Sequence, residues 1–251
     1  MNRAIGIIPA RFGSTRLPEK PLVSICGKPL IYWVWKQASK ARSLDRVLVA
    51  TDNLRVKKTV EEFGGKAVLT SANFTSGSDR VASVAARLNY DIVVNIQGDE
   101  PLISPAAIDK LVNALKSDKS VSVATLATVI KGEAELRDQN IVKVVFNQDG
   151  QALYFSRHPI PFWLTNGKKN LDISSLQSFY AHIGVYAFRK NFLLKFVSWK
   201  PSRLEKLERL EQLRILENGY PIKVVKTNYR SQAVDTPKDI KTVEQILRGK
   251  R

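Results

Sequence analysis

Sulfur is scarce in this 251-residue sequence, and long apolar runs are missing. The single cysteine, Cys26, excludes an intramolecular disulfide and suits a reducing cytosol. Between Ile25 and Gly27 it reads as a small residue in a turn. The apolar-rich stretches, such as 121–124 and 142–146, fall far short of the roughly 20 residues that cross a bilayer. Membrane insertion is therefore not expected. The apolar run that opens the chain stops at Pro9, too early for a secretory segment. Acids are also few: 23 Asp and Glu against 40 Lys and Arg give a net charge of +17. Such a surplus attracts nucleic acid, anionic lipid, or phosphorylated and carboxylated small molecules. The cations are scattered, and even the densest stretches, at Lys168-Lys169 and 195–214, alternate with Glu or apolar residues. No basic block interleaved with aromatics supports a nucleic-acid partner; only the pI of about 10.0 speaks for one.

What is present is an alternation of strand and helix signals. Residues 4–8 form a β-branched run that ends in a loop with Gly13, Ser14, Thr15 and Pro18. Pro29 stands at an expected first helical position, before Ile31, Val34, Trp35, Ala38 and Ala41 at helical spacing. Residues 47–50 form a second strand, 54–63 a helix closed by Gly64-Gly65, and 66–69 a third strand. A helix over 81–88 and a strand over 91–96 follow. This pattern predicts a doubly wound, mainly parallel α/β sheet whose polar clusters gather at its carboxyl edge, where such sheets bind ligands.

Beyond it, 121–129, 141–146, 151–155 and 182–188 read as strands, with Asn147-Gln148-Asp149-Gly150 as a hairpin turn. Residues 203–218 read as one Leu-rich helix, with a Ser202/Glu205 capping box and Gly219 as its stop. Thr236-Pro237 opens a last helix. The polar stretch 162–176 is expected to be a mobile loop. We expect one domain over 1–251, with 1–130 plus 220–251 as core and 131–219 as a smaller β-rich subdomain.

Three clusters carry chemistry. In the first loop, Arg11, Arg16 and Lys20 share a Gly/Ser/Thr-containing segment that suits a triphosphate, although the Walker spacing is absent. Composition alone leaves a basic surface loop as an equal reading. In the second, Asp99 follows a strand in Gln97-Gly98-Asp99-Glu100-Pro101, where a carboxylate facing a triphosphate suits Mg²⁺; a turn Asp before Pro is the plainer alternative. In the third, Asp235 precedes Thr236, which is able to cap the last helix alone. That leaves Asp235 for a second Mg²⁺ ligand or for the helix dipole.

Taken together with Val49-Ala50-Thr51-Asp52, Ser76-Gly77-Ser78-Asp79-Arg80, 95–101, 152–157, 182–186, 210–214 and 234–237, the run from Ile7 to Pro21 resembles the 3-deoxy-manno-octulosonate (Kdo) cytidylyltransferases. These blocks span nearly the whole chain in the family's order. The resemblance implies a cytoplasmic, homodimeric nucleotidyltransferase-type α/β enzyme, its smaller subdomain serving sugar binding and dimerisation. It implies transfer of CMP from CTP to Kdo with Mg²⁺ and release of pyrophosphate, which feeds lipopolysaccharide biosynthesis. Carried over by position, Lys20, Arg11, Asp99 and Asp235 are catalytic, and Asp99 and Asp235 hold the metal. Pro9, Ala10, Arg11, Ser14, Lys20, Ser76, Arg80 and Gln97 bind the nucleotide. Gln97, Arg157, His182, Tyr186, Glu211 and Gln212 bind the sugar. As plain alternatives, His182 and Tyr186 are core residues and Glu211 and Gln212 a solvated helix face.

Two departures stand out. Glu19 replaces the family's usual Gly, placing a carboxylate beside the triphosphate loop or in solvent. Ser78-Asp79 keeps a hydroxyl and an acid where Thr-Glu or Thr-Asp is commoner. Rival readings are an amino-substituted octulosonate or sialic-acid-like acceptor, a nucleic-acid-binding protein, and an inactive paralogue; Glu19 alone favours the last.

Overall fold

The computed structural model describes residues 3–13, 17–163 and 176–249. Expectations for Ser14 and Arg16, and for most of the 162–176 loop, lie outside these residues. The first strand, β1 (Ala4–Ala10), pairs in parallel with β4 (Arg46–Thr51) on one side and β6 (Ile92–Asn95) on the other. β4 in turn carries the short parallel β5 (Ala67–Leu69). On the far side of β6 the ten-residue β10 (Tyr180–Arg189) runs antiparallel and joins it to β7 (Val123–Val129), which carries the parallel β11 (Lys223–Lys226). A hairpin of β8 (Lys143–Phe146) and β9 (Ala152–Ser156) hangs from β10 through the Lys143–Ala181 pairing. The sheet is thus mixed and mainly parallel, as the sequence predicts, with β10 as the antiparallel insertion between its halves.

Alternation along β1 explains the two layers. Ala4, Ile8 and Ala10 pack with α1 (Leu30–Ala38), α2 (Leu54–Glu62), α4 (Pro105–Ser117) and the last helix (Pro237–Gly249). Ile5 and Ile7 face the opposite core with α3 (Gly77–Ala85), the helix Lys190–Ser198 and Phe155. Burying both faces fits near-continuous apolar strands.

Two local readings change, and one holds. Pro29 is not the first helical residue: it sits at ψ 149° as the residue before α1, paired with Ser24 in a small hairpin. Cys26-Gly27 forms that hairpin's two-residue turn, with φ of 48° and 74°, so Cys26 is a turn residue. α3 begins at Gly77, not near 81, because Ser76 and Asp79 form a capping box.

The expected helix over 203–218 is two short helices, Arg203–Glu208 and Leu213–Glu217. Arg209 turns left-handed between them, at φ 54°. The cause is a fold-back. Arg214 donates to both carboxylate oxygens of Glu205, at 2.7 and 2.6 Å, whereas on a straight helix these residues are about 13 Å apart.

Candidate active site

Pro9 is the next-to-last residue of β1, and Gln97-Gly98-Asp99 follows β6. A Cβ on residue 98 would stand 2.6 Å from the Pro9 carbonyl oxygen, so glycine is what lets the two loops touch. The chain of the last helix approaches the same point, with Val234 donating its N–H to the Asp99 carbonyl at 2.9 Å. Asp239 accepts the N–H groups of Asp235 and Thr236 at 3.0 and 2.7 Å, which relieves the Asp235 side chain of capping.

The two acids meet at Lys20. Its ammonium donates to Asp99 at 2.7 Å and to Asp235 at 2.9 Å. All three side chains are mostly covered yet open on a cleft of about 580 Å³. Burial works against the charge on Lys20, but Asp99 and Asp235 outweigh it and hold the amine above its ordinary pKa. Pro9, Ala10, Arg11, Ser76, Arg80 and Gln97 line the same cleft.

Arg80 is not offered wholly to a ligand. Its buried guanidinium pairs with Asp52 at 2.9 Å and donates to Thr70, and Asp52 accepts the Phe12 N–H at 3.0 Å. Arg80 thereby braces the basic loop through Asp52. Asp52, given no role from sequence, closes the block Val49-Ala50-Thr51-Asp52, and its position just after the buried β4 is the signal that points to it. Ser76 is likewise engaged, as the cap of α3.

A second cleft, of about 850 Å³, adjoins the first, and Gln97 and Asp235 line both. Arg157, His182, Tyr186, Glu211 and Gln212 all line it. His182 and Tyr186 stand on β10 with one edge on the cleft. Thr125 has a single hydroxyl proton and reaches the Val185 carbonyl at 2.9 Å, so the His182 Nε2 contact at 2.9 Å is assigned as imidazole donating to Thr125. Burial pushes His182 down to a pKa of about 3, so it is neutral at pH 7. Burial and the neighbouring Glu211 push Tyr186 well up.

Glu211 and Gln212 occupy the turn made by the Arg209 break, not a solvated helix face. Burial raises the Glu211 pKa against the Ser78 hydroxyl, which donates to it at 2.6 Å. That contact gives the serine of Ser78-Asp79 a role, while Asp79 caps α3. Gln212 is 6 % exposed, and its amide nitrogen has no partner among the described residues: a buried donor facing a cleft. Arg157 is partly tied down, donating to the carbonyls of Glu208 and Gln139. Arg209 and Arg230 also line this cleft and were not singled out from sequence; Arg230 is paired with Glu135.

Glu19 sits left-handed at φ 51°, the conformation for which glycine is the natural residue. Its carboxylate turns to Arg55, with contacts of 2.8 and 3.1 Å. It therefore does not oppose Lys20.

A cation-lined cleft at the carboxyl edge of a mainly parallel sheet, with an acid pair beside a second polar cleft, suits a nucleotidyltransferase, and the comparisons with known proteins place the chain in that class. The chain belongs to the cytidylyltransferase family, whose profile matches residues 5–231. It is 48% identical to the 3-deoxy-manno-octulosonate cytidylyltransferase of Geotalea uraniireducens, over 96% of this chain and 98% of that protein. It is 46% identical to the enzyme of the same name from Geobacter metallireducens, over 96% and 97%. The solved structure of a CMP:2-keto-3-deoxy-manno-octonic acid synthetase complexed with CTP superposes with a TM-score of 0.91 at 38% identity, covering 99% of this chain and 100% of that one. No described helix is long and apolar enough to cross a membrane.

Proposed function

We propose that this enzyme transfers CMP from CTP to the anomeric hydroxyl of Kdo and releases pyrophosphate. The observation that carries this reading is the Lys20–Asp99–Asp235 cluster at the seam of two clefts, in a chain whose relatives bear that activity by name. CTP occupies the smaller cleft. Arg11 and Lys20 neutralise its phosphates, the Pro9–Arg11 backbone reads the base, and Ser76 presents the N-terminus of α3. The acidic sugar occupies the larger cleft, where the unpaired Gln212 amide and the Arg157, His182 and Tyr186 side chains orient it.

The residues fit a magnesium ion. Asp99 and Asp235 already converge on one cation, the Lys20 ammonium, and two carboxylates are what Mg²⁺ takes when phosphates supply the rest. When bound, the ion supplies charge stabilisation at the α-phosphate. Asp99 and Asp235 would hold the ion once an arriving triphosphate drew the Lys20 amine toward itself. The sugar hydroxyl forms its bond to the α-phosphorus as the bond to the bridging oxygen breaks, and pyrophosphate leaves. Gln97, on the wall common to both clefts, keeps the reacting groups in line.

Leu153 on β9, Phe162 and Leu207 are large apolar side chains exposed within residues 131–219, and such exposure suits a homodimer contact. Residues 131–219 then serve sugar binding and dimerisation on the nucleotide-binding core, in a cytoplasmic enzyme.

Incubating the protein with CTP, Mg²⁺ and Kdo must yield pyrophosphate and CMP-Kdo. Competition with an amino-substituted octulosonate and a sialic acid measures the acceptor preference; faster turnover of either transfers the reading to that sugar. Asp99→Asn and Asp235→Asn are each expected to lower kcat by about two to three orders of magnitude. Their far-ultraviolet circular dichroism should match the parent, and near-parental turnover at saturating Mg²⁺ refutes the metal assignment.

A further inference from the structure

Glu100 adjoins Asp99 but lines neither cleft, and only 5 % of it is exposed. A carboxylate buried this deeply needs hydrogen-bond donors. Glu100 takes them from one segment: the Tyr229 hydroxyl at 2.8 Å, the Ser231 hydroxyl, and the Gln232 N–H at 3.3 Å. That segment runs from β11 to Asp235. Three residues past Ser231, Val234 closes the backbone contact to Asp99. The donors thus come from the stretch that delivers one carboxylate, and the acceptor is next in sequence to the other.

We propose that Glu100 is a positioning residue: a buried clamp that fixes the distance between the Asp99 and Asp235 carboxylates and so sets the affinity of the pair for a divalent cation. This rests on reading that pair as the magnesium site. Glu100 touches neither substrate nor metal in this scheme; it acts through Asp235.

The test titrates Mg²⁺ in two ways: by activation of turnover, and by calorimetry on protein saturated with a non-hydrolysable CTP analogue. Glu100→Ala is expected to raise the half-saturating Mg²⁺ at least tenfold in both. Analogue binding without metal should stay within twofold of the parent. Removing a charge beside the site would also weaken a cation electrostatically, so the decisive variant is Tyr229→Phe with Ser231→Ala. It removes two of the clamp's donors, keeps every charge, and should show at least half the logarithmic shift of Glu100→Ala. It also carries the test if Glu100→Ala does not fold. A double variant that is folded yet keeps the parental Mg²⁺ midpoint overturns the clamp. So does equal weakening of metal and analogue binding together with a fall in Tm, which marks a merely structural contact. If the parent itself shows no Mg²⁺ dependence, the metal reading fails; parental dependence with unmoved variants defeats the clamp alone.

Discussion

Position 19 shows how a single residue resolves a doubt that sequence raises. A carboxylate beside Lys20 looks harmful until the backbone angle and the Arg55 pair are seen. The left-handed conformation strains a side-chain-bearing residue by about 1–2 kcal/mol, while glycine costs about 0.4–1 kcal/mol through the unfolded chain. The Arg55 pair, exposed on both sides, adds little. Glu19→Gly should therefore raise unfolding stability by up to about 1 kcal/mol in urea titrations and leave the KM for CTP unchanged. His182 gives a second residue-scale prediction, in pH. Its folded pKa of about 3 lies below the ordinary 6.5, so the native state binds fewer protons between these values. The stability it contributes is complete above pH 6.5 and is lost as pH falls toward 3. In His182→Gln, stability should fall less between pH 7 and 5 than in the parent. Glu100 and Glu211 have raised pKa values and tilt stability the opposite way, so only the difference between the two curves isolates the histidine.

At the scale of elements, the Arg203–Glu217 elbow is where sequence reading met its limit. Its outer signals hold, with Glu205 accepting the Ser202 N–H at 3.0 Å and Gly219 turning left-handed, and everything between them favours an unbroken helix. The break is enforced by contacts that a straight helix does not make, the nearly buried Glu205–Arg214 pair and Leu210 entering the core. This elbow is what turns Glu211 and Gln212 into the larger cleft. Breaking a pair this covered commonly costs about 3–5 kcal/mol, so Arg214→Met should lower stability by a few kcal/mol in chemical denaturation. In the surviving folded fraction, the KM for Kdo should rise while that for CTP holds, because the nucleotide cleft contains no residue of the elbow. Equal rises in both constants would place the elbow's influence in global loosening. By contrast, β1, β4 and β6 were legible because each is a β-branched run buried on both faces and stopped by a polar cluster. The helix Pro105–Ser117 is announced by Ser104, Pro105 and the spacing of Ile108, Leu111, Val112 and Leu115, signals that the strand–helix alternation above does not include.

Across the whole molecule, the site joins residues that composition cannot connect: Lys20 and Asp235 are 215 positions apart. Residue types and strand ends marked the individual members, and the resemblance to a family ordered them. Their convergence is a property of the sheet, which brings the ends of β1 and β6 together and returns the last helix to the same edge. The Glu100 clamp was illegible for the opposite reason, since a glutamate before proline looks like any solvated turn until its burial is known. The proposed reading also fixes a kinetic order. The clefts share Gln97 and Asp235, so in that reading both substrates are held at once, and neither the sole cysteine nor the neutral His182 lines the nucleotide cleft as a nucleophile. A direct displacement follows, with no nucleotidyl-enzyme intermediate. Initial-rate plots against CTP at several Kdo concentrations should intersect, not run parallel. Labelled pyrophosphate should enter CTP only when sugar is present, because without an acceptor no bond to the α-phosphorus forms. Exchange in the absence of Kdo would require a covalent residue in the smaller cleft, and the two-cleft arrangement would then describe storage of the sugar and not its attack.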